Sequence, residues 1–167
     1  MKQTIQLLLL LILFSFHLQG QDSISQIKSK WDQVKSLLQK RSNILIDLTK
    51  TLSTVKVDKK QNNNLKVLAI DIYTYVDSLK SIDSLSIAKV EAKNKKVWEN
   101  IIVTLIEIDT LTIIVKQKFA PFQAKLEGCE NNIKNATRDY NEICRKYNRT
   151  DLLFTLEYSN KPSEVQF

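Results

Sequence analysis

From Ile24 to Val55 one set of residues recurs at intervals of three and four without a break: Ile24, Ile27, Trp31, Val34, Leu38, Arg41, Leu45, Leu48, Leu52 and Val55. Such intervals return to one side of a helix every two turns, so a single helical face collects the whole series. The seam runs over four heptads, the pattern of a coiled-coil-like bundle. Nine of its members are apolar and one, Arg41, is charged. Punctuation is scarce as well, with 2 glycines and 2 prolines among 167 residues. A chain with so few turn residues favours a few long helices over many short strands.

Three further segments follow. The polar run "DKKQNNN" (Asp58 to Asn64) interrupts the first seam and reads as a loop. A second seam then runs through Leu65, Leu68, Ile72, Tyr75, Leu79 and Ile82, and the serine-rich "SIDSLS" (Ser81 to Ser86) ends or kinks it. The third segment centres on "VWENIIVTLIEIDTLTIIV" (Val97 to Val115), whose apolar residues nearly surround a helix and mark it as the most buried element. Its β-branched residues also suit a strand, but nineteen residues without a turn signal are long for one. In "KFAPF", Ala120 is biased away from helical geometry and Pro121 suits a first helical turn. The fourth seam is Leu126, Cys129, Ile133, Ala136, Tyr140, Ile143 and Tyr147. The expected fold is all-α: an elongated antiparallel four-helix bundle with long helices.

The first twenty residues stand apart. Lys2 precedes the apolar run "LLLLLILF" (Leu7 to Phe14), and "SFHLQG" ends in a small residue. The run is shorter than the roughly 20 residues that span a bilayer. This is the layout of a secretory signal cut after Gly20; the alternative is an uncleaved anchor. The chain thus divides into residues 1–20, signal or anchor, and residues 21–167, the bundle domain. Without residues 1–20, 24 basic and 18 acidic residues remain, a net charge of +6. The basic residues are scattered, as on a solvated surface, though they also allow weak attraction to anionic envelope polymers or lipid headgroups. Nucleic acid is not expected as a partner of an exported chain.

"LEGCENNIKNATRDYNEICRKYN" (Leu126 to Asn148) closely resembles the signature of the LemA family. The matching residues are Leu126-Glu127-Gly128, Glu130-Asn131, Ile133, Arg138 and the twin pairs Tyr140-Asn141 and Tyr147-Asn148. In the first helix, Trp31 with the basic pair Lys40-Arg41 and a leucine-rich stretch is similar too, and "KPSEVQF" resembles the family's tail. Two departures stand out. Leu45-Ile46 replaces a proline, and "DTLTII" (Asp109 to Ile114) replaces a tyrosine-proline-aspartate turn, so the third helix is expected to run longer than in relatives. The resemblance implies a bacterial helical bundle beyond the inner membrane or attached to it. It implies no catalytic activity.

The residues themselves offer little chemistry. The only histidine, His17, lies in the leader, which removes the commonest general base and metal ligand from the bundle. No glycine-rich phosphate loop is present. A catalytic carboxylate pair could be assembled from Glu99, Glu107 and Asp109, but acidic residues on helices are common. Cys129 and Cys144 are fifteen residues apart, about 22 Å on one helix, whereas a disulfide needs Cα atoms within about 7 Å. Neither a catalytic residue nor a cofactor or metal site is therefore assigned. Two functions stay open: an envelope-associated interaction or scaffold module that meets an envelope protein, and a carrier of an apolar ligand between the third and fourth helices.

Arg41 is the one charge in its seam, so it either snorkels to water or meets a carboxylate inside. Glu130 is the first candidate partner, followed by the Tyr140 hydroxyl and the Asn141 amide. The two Tyr-Asn pairs are seven residues apart, which puts Tyr140 and Tyr147 at equivalent core-facing positions and both asparagines at the flank. The expectation is a polar layer of Arg41, Glu130, Arg138, Tyr140, Asn141, Tyr147 and Asn148 that locks the first and last helices in register.

Overall fold

In the computed structural model the backbone is described for residues 2–156 and the side chains for residues 23–156. The side chains of the leader or anchor, and the tail "KPSEVQF", lie outside those described residues. Helix α1 spans Lys2–Leu52. Its seam is the core: Ile27, Trp31, Val34, Leu38, Leu45, Leu48 and Leu52 are all buried, whereas Ile24 is exposed. The helix stops where hydroxyls compete for its last carbonyls. Ser53 Oγ donates to Lys50 O at 2.6 Å and Thr54 Oγ1 to Thr51 O at 2.8 Å.

Helix α2 spans Lys59–Ser78, so most of "DKKQNNN" is helical rather than a loop. Its polarity has other causes. The Asp58 carboxylate accepts from the N–H groups of Lys60 and Gln61, an N-cap. The Asn62 amide donates to Thr49 O, while Gln61 and Asn64 both donate to Asn100 Oδ1. The buried row is Leu65, Ala69, Ile72 and Val76. Leu68 and Tyr75 stand one position to the side, half-buried, and Leu79 and Ile82 fall beyond the helix but still pack on the core.

Helix α3 spans Ser84–Asp109 and differs at both ends from the expected Val97 to Val115. It starts early because the Asp83 carboxylate caps it, accepting from Ser86 N at 2.7 Å. It stops early because Thr110 turns back on it: the Thr110 N–H and hydroxyl both donate to Glu107 O. The third helix therefore ends at Asp109, short of the expected Val115. A one-turn helix α4, Ile113–Lys116, follows, with Lys116 Nζ 2.6 Å from Asp109 Oδ1. Nor is this segment the most buried. Val103, Ile106, Ile113 and Ile114 are 49%, 52%, 74% and 76% exposed.

Helix α5 spans Ala120–Lys146 with Pro121 in its first turn, where a missing N–H goes unnoticed. Its buried row is Leu126, Cys129, Glu130, Ile133, Thr137, Tyr140 and Cys144, so Thr137 and Cys144 replace the neighbouring Ala136 and Ile143 of the expected seam, and Tyr147 is only half-buried. A short 3₁₀ turn, Thr150–Leu152, comes last.

Facing residues fix the topology. Gln39 meets Asp77, and Thr49 meets Asn62, so α1 and α2 are antiparallel. Lys93 pairs with Asp71 and Asn100 with Asn64, so α2 and α3 are antiparallel. Trp31 faces Tyr140 and Arg41 faces Glu130, so α1 and α5 are antiparallel as well. Four long helices thus form an all-α bundle around α1, with no strand among the described residues. Among those residues no helix is long and apolar enough to cross a membrane.

Candidate functional site

Arg41 lies on α1's buried face with no solvent exposure. Its Nη1 donates to Glu130 Oε1 on α5 at 3.1 Å, and its Nη2 donates to Asn94 Oδ1 on α3 at 2.7 Å. One guanidinium therefore ties three helices together. The planar fork suits this, since each nitrogen points its hydrogens along a fixed line. Charge-assisted bonds are the stronger kind, and a low-dielectric interior strengthens them further. The layer is not fully satisfied, because the buried Arg41 Nε has no hydrogen-bond partner among the described residues. Desolvating a guanidinium opposes folding and offsets part of what these bonds contribute.

Cys129 precedes Glu130 and sits beside the layer, its Sγ 3.6 Å from Leu37 O. Burial first, and the Glu130 charge second, push its thiol up from the ordinary value. Cys144 is also buried, and desolvation pushes its thiol up too. Both cysteines are free, on one unbroken α5.

The Tyr-Asn pairs do not join this layer. Tyr140 and Asn141 lie ten and eleven residues beyond Glu130, about 15 Å along the helix, out of reach of Arg41. They build a second site. The Tyr140 hydroxyl donates to Leu152 O at 2.8 Å. The Asn141 side chain holds Phe154 at both ends of its backbone, accepting from its N–H at 2.9 Å and donating to its C=O at 2.8 Å. An asparagine that binds one residue's N–H and C=O together imitates a neighbouring strand. The segment after α5 is thereby strapped back across the bundle. Phe154 is fully buried against Trp31, edge-on with centroids 5.7 Å apart, and Trp31 tilts against Tyr140 at 5.3 Å. Burial raises the Tyr140 hydroxyl far above its ordinary value, which keeps it a donor.

The second pair does different work. Tyr147 is half-buried, and Asn148 is exposed with φ 56°, the only positive φ of a non-glycine residue in the described chain. Asn148 N donates to Arg145 O and Arg149 N to Cys144 O, the paired bonds of a Schellman cap. Asparagine tolerates that left-handed turn better than other residues. Arg138 is exposed, with its Nη2 3.6 Å from the neighbouring Asp139. The structure thus unites Arg41 with Glu130 and leaves Arg138, Tyr140, Asn141, Tyr147 and Asn148 outside that layer.

Asn94 was missed by sequence reasoning, although Val90, Asn94, Val97 and Ile101 follow intervals of four, three and four. Phe154 and Leu152 were missed too, and no periodicity marks them. Of the spare carboxylates, Glu107 accepts from Asp58 N and Asp109 pairs with Lys116. No cluster of three or more metal-ligating side chains occurs among the described residues. The space between α3 and α5, lined by Leu105, Ile108, Phe119, Phe122 and Leu126, is about 10 Å³. That is at most one water's worth, too little for an apolar ligand.

An all-α bundle with a buried arginine layer and a strapped C-terminal segment defines a helical-bundle protein. The LemA family model matches residues 30–157, most of the bundle, and the chain belongs to the LemA family. Comparison with curated proteins and with solved structures finds no match.

Proposed function

We propose that this chain is a non-enzymatic bacterial helical bundle exported to the cell envelope, held at a membrane by residues 1–20, and acting there as an interaction or scaffold module for an envelope protein. One observation carries the reading. The bundle spends its distinctive polar groups on its own packing, while the outer face and end of α3 and the turn behind it leave Val103, Ile106, Ile113 and Ile114 in water. Large apolar residues grouped this way on a folded surface are costly to keep unless something covers them. The signal-like or anchor-like start supports export.

A photocrosslinking residue at Ile106 or Ile114, introduced into the full chain in its native cells, tests this. The expected result is a discrete protein adduct at both positions and none at the exposed Asn135 on α5. Adducts no different from those at Asn135 would remove the support for a partner on this face.

A further inference from the structure

At the end of the bundle where α1 enters it, α1, the α2–α3 loop and the C-terminal turn enclose a cleft of about 260 Å³. Ile24, Ile27 and Trp31 from α1, with Leu79, Ile82 and Leu152 from the loop and the turn, make it mainly apolar. Ile24 is 62% exposed there. The charges that line the cleft are Lys28, Lys80 and Arg149 against Asp32. Arg149 is occupied by Asp151, whose two oxygens it grips at 3.0 and 2.9 Å. Lys28 and Lys80 are exposed and form no ion pair among the described residues, which leaves one net positive charge beside Asp32.

The described chain passes this cleft shortly before it ends. Leu152 lines the cleft, and Leu156 is four residues further, hence at most about 14 Å away. The sequence continues with "EYSNKPSEVQF" (Glu157 to Phe167), a stretch that spans at most about 40 Å when extended. Its order suits a return to the cleft. Ser159, Asn160 and Pro162 are turn formers. Glu164, Val165, Gln166 and Phe167 then alternate polar with apolar, which in an extended segment puts Val165 and Phe167 on one side. The roughly ten carbons of those two side chains compare with the volume of about nine waters that the cleft offers. Charge agrees as well. Glu157 and Glu164 outweigh Lys161, and Glu164 stands next to Val165 in the sequence.

We propose that this cleft is the docking site of the chain's own residues 164–167. Phe167 fills it, Val165 covers Ile24, and the Glu164 carboxylate faces the ammonium groups of Lys28 and Lys80. The docked tail takes out of water the apolar surface that Ile24 exposes, and its negative charge balances the positive rim. Neither the membrane reading of residues 1–20 nor the exposed face of α3 is needed for this contact.

The test uses the full chain with Ile24→Cys and Val165→Cys in a glutathione redox buffer. The native Cys129 and Cys144 are buried and stay out of the exchange. A disulfide within one chain between positions 24 and 165 should be favoured about tenfold over the bond in a control chain with Ile106→Cys and Val165→Cys, because docking raises the effective concentration above that of a merely tethered tail. Position 106 is within the tail's span too: Thr155 N donates to Glu91, and Ile106 is fifteen residues further along α3, about 22 Å. Phe167→Ala should remove the excess, and Lys28→Glu with Lys80→Glu should lower it. Ile24 and both lysines are exposed, so folding is not at issue. Equal bonding at positions 24 and 106, or an excess that survives Phe167→Ala, would overturn the proposal. A bond found only between two chains would also overturn it and give the cleft to a second copy.

Discussion

Arg41→Ala removes the one side chain that joins α1, α3 and α5. Two bonds vanish, at 3.1 Å to Glu130 and 2.7 Å to Asn94. Hydrogen bonds to charged groups contribute about 1.5–3 kcal/mol each, and breaking a buried ion pair costs about 3–5 kcal/mol because the surviving buried charge loses its counter-ion. These are overlapping descriptions of one loss, so the expected destabilisation is about 4 kcal/mol rather than their sum. Urea denaturation followed by helical circular dichroism measures it, given an unchanged m-value. Glu130→Ala should also destabilise, and the double variant should lose far less than the two singles together, since the residues share one interaction. Replacing Arg41, Glu130 and Asn94 together by apolar residues of similar volume should recover most of the loss. A loss below about 1 kcal/mol for Arg41→Ala, with simple additivity, would refute the reasoning and make Arg41 a dispensable charge.

Asn141→Ala should free the strap by removing both bonds to Phe154; a loss of about 1–3 kcal/mol and faster amide exchange at Phe154 are expected, and an unchanged exchange rate would count against the clamp. Phe154→Ala should cost about 3–5 kcal/mol, measured by the same denaturation, because the ring is fully buried against Trp31. Burial holds both thiols above their ordinary 9.0, so the folded chain keeps protons that the unfolded chain releases. That part of the stability is whole below pH 9 and is lost as the pH rises through the folded values. Alkylation of Cys129 and Cys144 below pH 9 should accordingly wait for unfolding, and labelling of the folded chain as fast as a free thiol would contradict it. Asp58→Ala should destabilise by about 1 kcal/mol through loss of the α2 cap, read from the shift in urea midpoint.

Intervals of three and four carried most of the fold into view, because burial on a helix repeats with the helix itself. Seven seam residues of α1 are buried as spaced. What periodicity misread were the places where polarity served another purpose. "DKKQNNN" is polar because Asp58 caps α2 and three amides cross to other helices, not because the chain turns there. The end of α3 depends on the Thr110 hydroxyl, a local competition that apolar spacing does not register. The Arg41–Glu130 pairing was legible because a charge in a core seam needs a partner. Helix rise alone, about 15 Å over ten residues, would have separated Tyr140 from that pair. The two Tyr-Asn pairs, seven residues apart, look like one device in the sequence but are two. Asn141 binds a strap that returns from outside any helix, and Asn148 closes the helix that the strap leaves.

Residues 1–20 and the exposed face of α3 carry the functional account, and one experiment joins them. The full chain and a chain lacking residues 1–20 are each given a photocrosslinker at Ile114, expressed in native cells, and recovered from the envelope fraction. The account predicts one discrete protein adduct from the full chain in the membrane fraction, and its loss when residues 1–20 are absent. The same adduct from both chains, or none from the full chain, would contradict it.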